Sequence, residues 1–185
     1  MTMKKELNIL EVFPEIDWIK DHNIRQATIN VWNRLWDECS WEDILTVPCT
    51  PKLDFPHVIH NRSVLLNCVA MADTYEKLFN VTVNRDHLIS ACLLQDASKL
   101  VEYEKTENGV EKSLLGKTFP HAFYAAHVAM DENLPYEVVQ AILEHTPDSA
   151  EFPKTLIAKI LFYADQADMA ALQGDRWKKT CFTYR

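Results

Sequence analysis

Glycine is scarce in this chain, with 3 among 185 residues, and the 8 prolines fall mostly between periodic segments. Tight hairpins lean on glycine, so this balance favours helices. A basic surplus is missing too: 19 Lys and Arg stand against 27 Asp and Glu, a net charge of −8. That argues against the basic face that nucleic-acid binding needs, so no nucleic-acid partner is expected. A compact anionic ligand stays compatible, because a bound metal and a few lysines can set the local field. No CxxC pair or regular spacing joins Cys39, Cys49, Cys68, Cys92 and Cys181. Scattered and odd in number, they read as reduced thiols of a cytoplasmic protein. Cys68 and Cys92 fall on apolar helical faces, where a thiol acts as a small hydrophobe. No run of about 18 apolar residues exists, so no membrane span is expected. The opening MTMKKELNIL is too short in its apolar part, and too quickly acidic, for a signal peptide.

What is present suits one helical domain with a sizeable core and an extension, since 48% of residues are hydrophobic and 25% charged. Apolar positions recur at helical spacing from Pro14 to Cys39. Ser40 with Asp43 resembles the cap of a short helix, and Pro48, Pro51 and Pro56 then impose an extended connection. Residues 1–56 are therefore expected to form a helical extension and residues 57–185 the main domain. Trp32, Trp36 and Trp41 of the extension read as packing anchors, with a pocket wall as the other reading; tryptophans there could also support a homodimer.

Within 57–185, Val58, Val64, Leu65, Cys68, Val69, Ala72 and Leu78 describe a long helix from His57 to Phe79. Asn84 caps the next, which runs to Gln95. Residues 105–118 read as a polar loop, and Pro120, Pro135 and Pro153 each open a further helix. The short Val81-Thr-Val83 piece is the remaining strand candidate. The expected fold is all-α.

His60, Asp96, His121, His145 and Asp165 lie on apolar faces, one from each successive core helix. A single histidine near a core is usually just hydrogen-bonded. Five such groups, one per helix, match the way helical bundles project metal ligands inward. Mixed imidazole and carboxylate ligation suits Fe, Mn, Zn, Co or Ni, one or two ions per chain. His57 and His127 are neighbouring alternatives, whereas His22 and His87 are expected to face solvent.

The order of these residues resembles the HD superfamily of metal-dependent phosphohydrolases. The matching stretches are His60-Asn-Arg-Ser-Val64, Leu93-Leu-Gln-Asp-Ala-Ser-Lys99, Pro120-His121, Ala141-Ile-Leu-Glu-His-Thr146 and Lys159-Ile-Leu-Phe-Tyr-Ala-Asp165. The last two look most like the branch that hydrolyses diadenosine tetraphosphate. The resemblance spans roughly residues 57–172 and implies an HD-domain helical bundle. It further implies one metal on His60, the doublet and Asp165, and a second on Asp96, His121 and His145. The doublet departs from the family pattern, because Gln95 stands where the family has His. Gln95 offers only a weak amide oxygen. A mononuclear site, a degraded site, an altered metal preference and a substrate-trapping variant all remain open.

The implied activity is hydrolysis of a phosphoester or phosphoanhydride of an anionic small molecule or nucleotide by metal-activated water, with Asp96 and Lys99 in catalytic roles. Arg62, Lys99 and Lys117 are the candidate substrate-binding residues, each with a solvated surface charge as its alternative. Iron-dependent oxygenase or lyase chemistry, and a non-catalytic ligand-binding protein impaired by Gln95, are the competing readings.

Overall fold

The computed structural model describes residues 6–147 and 152–174. Cys181 and the rest of the chain's last 11 residues lie outside them. The fold is all-α: helices dominate, and the described strands form two small antiparallel hairpins.

The chain opens with α1 (Ile9–Val12) and a 3₁₀ turn (Pro14–Trp18). Then comes α2 (His22–Glu38), where Asp21 accepts from the backbone N–H groups of Asn23 and Ile24. The continuous periodicity from Pro14 to Cys39 is thus broken at residues 19–21. A second 3₁₀ turn (Ile44–Thr46) follows, capped by Asp43 rather than Ser40. The proline-rich connection forms a hairpin of β1 (Pro48–Thr50) and β2 (Leu53–Pro56), with an irregular register between Pro48 and Thr50.

The long helix is α3 (His57–Phe79), ended by Asn80 at a positive φ of 52°. Val81-Thr-Val83 is no strand; it is an irregular link to α4 (Arg85–Leu94), capped by Asn84. Every residue of α4 from Leu88 to Leu94 is buried, as a helix apolar on all sides must be. It packs against α3 and α2 and, further on, α8 and α9. Truncating the fully buried Leu93 in its last turn to Ala should cost about 2–5 kcal/mol.

A turn leads into α5 (Lys99–Glu102). The expected polar loop then forms a hairpin of β3 (Tyr103–Thr106) and β4 (Gly109–Lys112), followed by α6 (Leu114–Thr118). Its strands carry little apolar alternation, so their pairing leaves a faint sequence signature. Gly116 lets α6 press onto α5, because a Cβ there would lie 2.4 Å from the Glu102 carbonyl oxygen. The last helices are α7 (His121–Asp131), α8 (Tyr136–Glu144) and α9 (Leu156–Gln173). Pro120 and Pro135 precede α7 and α8 as expected, whereas α9 starts after Thr155, which accepts from the Ala158 N–H.

Ile16, Trp32, Leu65, Leu94, Ile142 and Ile160 belong to one apolar core, so the N-terminal elements and the later helices share it. Trp32, Trp36 and Trp41 are buried packing anchors, and the Trp41 indole N–H donates to the Tyr103 carbonyl.

Candidate metal centre

The chain leaves α4 through the Gln95–Ser98 turn, and the site is built around Asp96 in it. Ser98 ties this turn to α7, its hydroxyl donating to the His121 carbonyl at 2.6 Å. Pro120 sets the chain extended and starts α7, which places His121 on its first turn. His145 sits just past the end of α8, and its Nδ1–H donates to the Ile142 carbonyl at 2.6 Å. That bond turns His145 Nε2 toward His121 Nε2, 3.2 Å away. Asp96 Oδ1 lies 3.5 Å from His121 Nε2 and 3.7 Å from His145 Nε2.

These three donor atoms form a triangle that could hold one ion. Ligands at about 2.0–2.2 Å from a common metal, set at octahedral or tetrahedral angles, stand about 3–3.5 Å apart. The observed edges are close to that. Asp96 Oδ1 is buried without a hydrogen-bond partner, as suits an oxygen whose natural partner is a cation. The residues present therefore fit a divalent metal.

A second cluster adjoins the first through the other oxygen of Asp96. His60, on the buried face of α3, has Nε2 3.1 Å from Asp165 Oδ1 and 3.4 Å from Asp96 Oδ2. Its Nδ1–H donates to Asp168 Oδ2 at 2.6 Å, and the Ser63 hydroxyl donates to Asp168 Oδ1. His60 is 1% exposed, so three carboxylates surround one buried imidazole.

The electrostatics follow from burial set against neighbours. Burial works to raise the Asp96 carboxyl, yet Lys99, His145, His60 and His121 hold it well below the usual carboxylate range. Burial works to lower His60, but Asp165, Asp168 and Asp96 lift it well above an ordinary histidine. Burial and Lys99 hold His121 well below, whereas at His145 burial is outweighed by Asp96, Asp165 and the Ile142 carbonyl together, which raise it. Lys99 is held charged despite burial, with Asp96 as its main support. Its ammonium lies 3.6 Å from Asp96 Oδ1, 3.7 Å from Glu102 Oε2 and 5.5 Å from the centre of the Tyr103 ring. Burial pushes the Tyr103 hydroxyl up to about 12.

The structure thus brings together His60, Asp96, Lys99, His121, His145 and Asp165. Gln95 is fully buried beside Asp96, and neither end of its amide has a partner among the described residues. Arg62 is not brought to this cluster. Two positions beyond His60, about 200° around the helix, its guanidinium holds Glu15 at 2.6 and 2.9 Å. Lys117 is exposed on α6.

The other histidines divide clearly. His57 is buried in the core, its Nδ1–H donating to the Val47 carbonyl at 3.2 Å. His127 is exposed, and its Nε2 lies 3.7 Å from Asp131. His87, expected in solvent, is half-buried and pairs with Glu137 at 2.8 Å.

Sequence reasoning missed Asp168, Ser63 and Glu102. The first two had a usable signal: Asp168 follows Asp165 by three, and Ser63 follows His60 by three, the spacing of helix neighbours on one face.

One curated protein is similar to this chain in sequence. Over 110 residues, 59% of this chain, the identity is 33% to the dihydroneopterin 2',3'-cyclic phosphate phosphodiesterase of Methanocaldococcus jannaschii. The chain is similar to a phosphodiesterase. The match spans 44% of that relative, so the chain covers less than half of its length. No protein-family profile and no solved structure matches the chain.

Proposed function

We propose that this chain is a metal-dependent hydrolase of phosphoesters, of the HD type, acting on a small anionic substrate. The carrying observation is the Asp96–His121–His145 triangle, whose three donor atoms face one another at 3.2–3.7 Å. Similarity to a phosphodiesterase supports the same reaction class, and that relative's cyclic phosphate is the first substrate type to test. Asp96, His121 and His145 would hold a divalent metal, which would supply a hydroxide near neutral pH and neutralise charge on phosphoryl oxygens.

The chain's own residues supply the rest. Lys99 puts a buried, permanently charged ammonium beside Asp96, where it can hold a phosphoryl oxygen. Glu102 and the Tyr103 ring also lie against the Lys99 ammonium. His60, gripped from both ring nitrogens, keeps a proton next to Asp96 and Asp165. Lys117 is a candidate for a more distant anionic part of the substrate. Buried free thiols at Cys39, Cys49, Cys68 and Cys92 favour a reducing compartment such as the cytoplasm.

The test is a screen of 2',3'-cyclic phosphates, linear phosphodiesters and nucleotides with Mn²⁺, Co²⁺, Zn²⁺, Ni²⁺ or Fe²⁺ added. Turnover should require metal and vanish in His121→Ala. Metal bound tightly without turnover of any phosphate compound would contradict hydrolysis. Two histidines and one carboxylate also suit a mononuclear iron enzyme. Oxygen uptake by the iron-loaded protein without phosphate release would favour that reading.

A further inference from the structure

Helices α3 and α9 pack directly against each other, and each carries two polar residues three apart on the facing sides. His60 and Ser63 meet Asp165 and Asp168. We propose that Asp168, itself held by Ser63, is a positioning residue that fixes the His60 ring so that Nε2 faces Asp96 and Asp165. The Asp168 carboxylate uses one oxygen for the His60 Nδ1–H, at 2.6 Å, and the other for the Ser63 hydroxyl.

Two bonds from different residues leave that carboxylate no freedom to rotate away. A side chain with one anchored ring nitrogen has one permitted ring orientation, and the free choice of a half-turn about its ring torsion is lost. Asp168 is 8% exposed and meets no lysine or arginine among the described residues. Burying it makes sense through His60, since an anion left there alone would be costly. Ser63 and Asp168 also border a groove of about 620 Å³ lined by α3 and α9.

The positioning of His60 stands on this geometry alone; its consequence for metal binding rests on the function proposed above. Asp168 acts through His60, and His60 Nε2 acts on Asp96 Oδ2 at 3.4 Å. Outer partners of metal-ligating side chains commonly change metal affinity by about 10–100-fold, and Asp168 reaches the candidate ligand Asp96 through His60.

The experiment uses the full chain and reads the Nδ1-bound proton of His60 by NMR, assigned by its loss in His60→Gln. Mn²⁺ and Zn²⁺ titrations of the same proteins run alongside. In the unaltered protein, this proton should be strongly downfield and slow to exchange. Asp168→Ala should abolish the signal and weaken metal binding at least tenfold. Asp168→Asn should keep the signal, because its amide oxygen accepts the same bond. Ser63→Ala should speed exchange without removing the proton, which keeps the proposal open to refutation should Asp168→Ala fail to fold. An unchanged His60 signal in folded Asp168→Ala, or unchanged exchange in Ser63→Ala together with signal loss in Asp168→Asn, overturns it. If the unaltered protein binds no metal but loses the His60 signal in Asp168→Ala, the positioning role stands and the hydrolase reading falls. If metal binds and Asp168→Ala leaves His60 unmoved, the reverse holds.

Discussion

His121 and His145 face each other through their Nε2 atoms at 3.2 Å, with the ring planes 72° apart. Such closeness is unfavourable for two lone pairs and comfortable when a cation lies between them. Without a metal, the natural cation is a proton on His145, which Asp96 favours, while His121 is held neutral. Proton and metal thus compete for the same nitrogens, and metal affinity should fall as pH drops.

Lys99 shares Asp96 with that triangle. Changing Lys99 to Met strips Asp96 and Glu102 of a buried cation, a loss of about 3 kcal/mol on the scale of broken buried pairs. A bound metal returns positive charge to Asp96. The fall in unfolding midpoint should therefore be large in metal-free protein and clearly smaller with Mn²⁺ present. Equal falls in calorimetry under both conditions would show that Asp96 and the metal do not share this charge balance.

His57 offers a second pH test, dominated by its own burial. Burial lowers it from 6.5 to about 4. Below pH 6.5 the unfolded chain takes up a proton that the folded chain refuses until about pH 4. Stability is then lost as pH falls through that window, and the contribution is fully present above it. Between pH 7 and pH 4.5 the unaltered protein should lose about 2 kcal/mol more than His57→Phe. Urea melts at the two pH values measure this, and parallel losses would place the proton elsewhere.

On the proposed reading, Gln95 limits the metal count. A carboxamide oxygen is a poor donor to first-row divalent metals compared with neutral imidazole. Gln95→Ala should leave metal binding within about threefold, on the expectation that a weak ligand contributes little. Gln95→His should move the stoichiometry from one ion per chain toward two. Two tightly held ions per chain in the unaltered protein would overturn this.

Much of the centre was legible because its residues break an apolar pattern: a histidine or aspartate among leucines and alanines at helical spacing is conspicuous. His60, Asp96, His121, His145 and Asp165 all stood out in this way. Asp168 did not, because it lies near the end of α9 among alanines and glutamines, and its partner Ser63 is unremarkable alone. Arg62 is close to His60 in sequence, but a helix sends neighbours two apart to opposite sides, where Glu15 meets it. The all-α fold followed from periodicity and proline placement. The two hairpins leave little mark on the sequence, because one is built around prolines and the other from polar residues, so neither shows the alternation of a half-buried strand.

The most direct measurement is calorimetric titration of the metal-stripped protein with Mn²⁺ or Zn²⁺ at pH 7.5, beside His121→Ala, His145→Ala and Gln95→Ala. The Asp96–His121–His145 triangle predicts about one ion per chain, at least tenfold weaker binding when either histidine is removed, and little change with Gln95→Ala. No binding by the unaltered protein, or binding that both histidine variants retain in full, would contradict it.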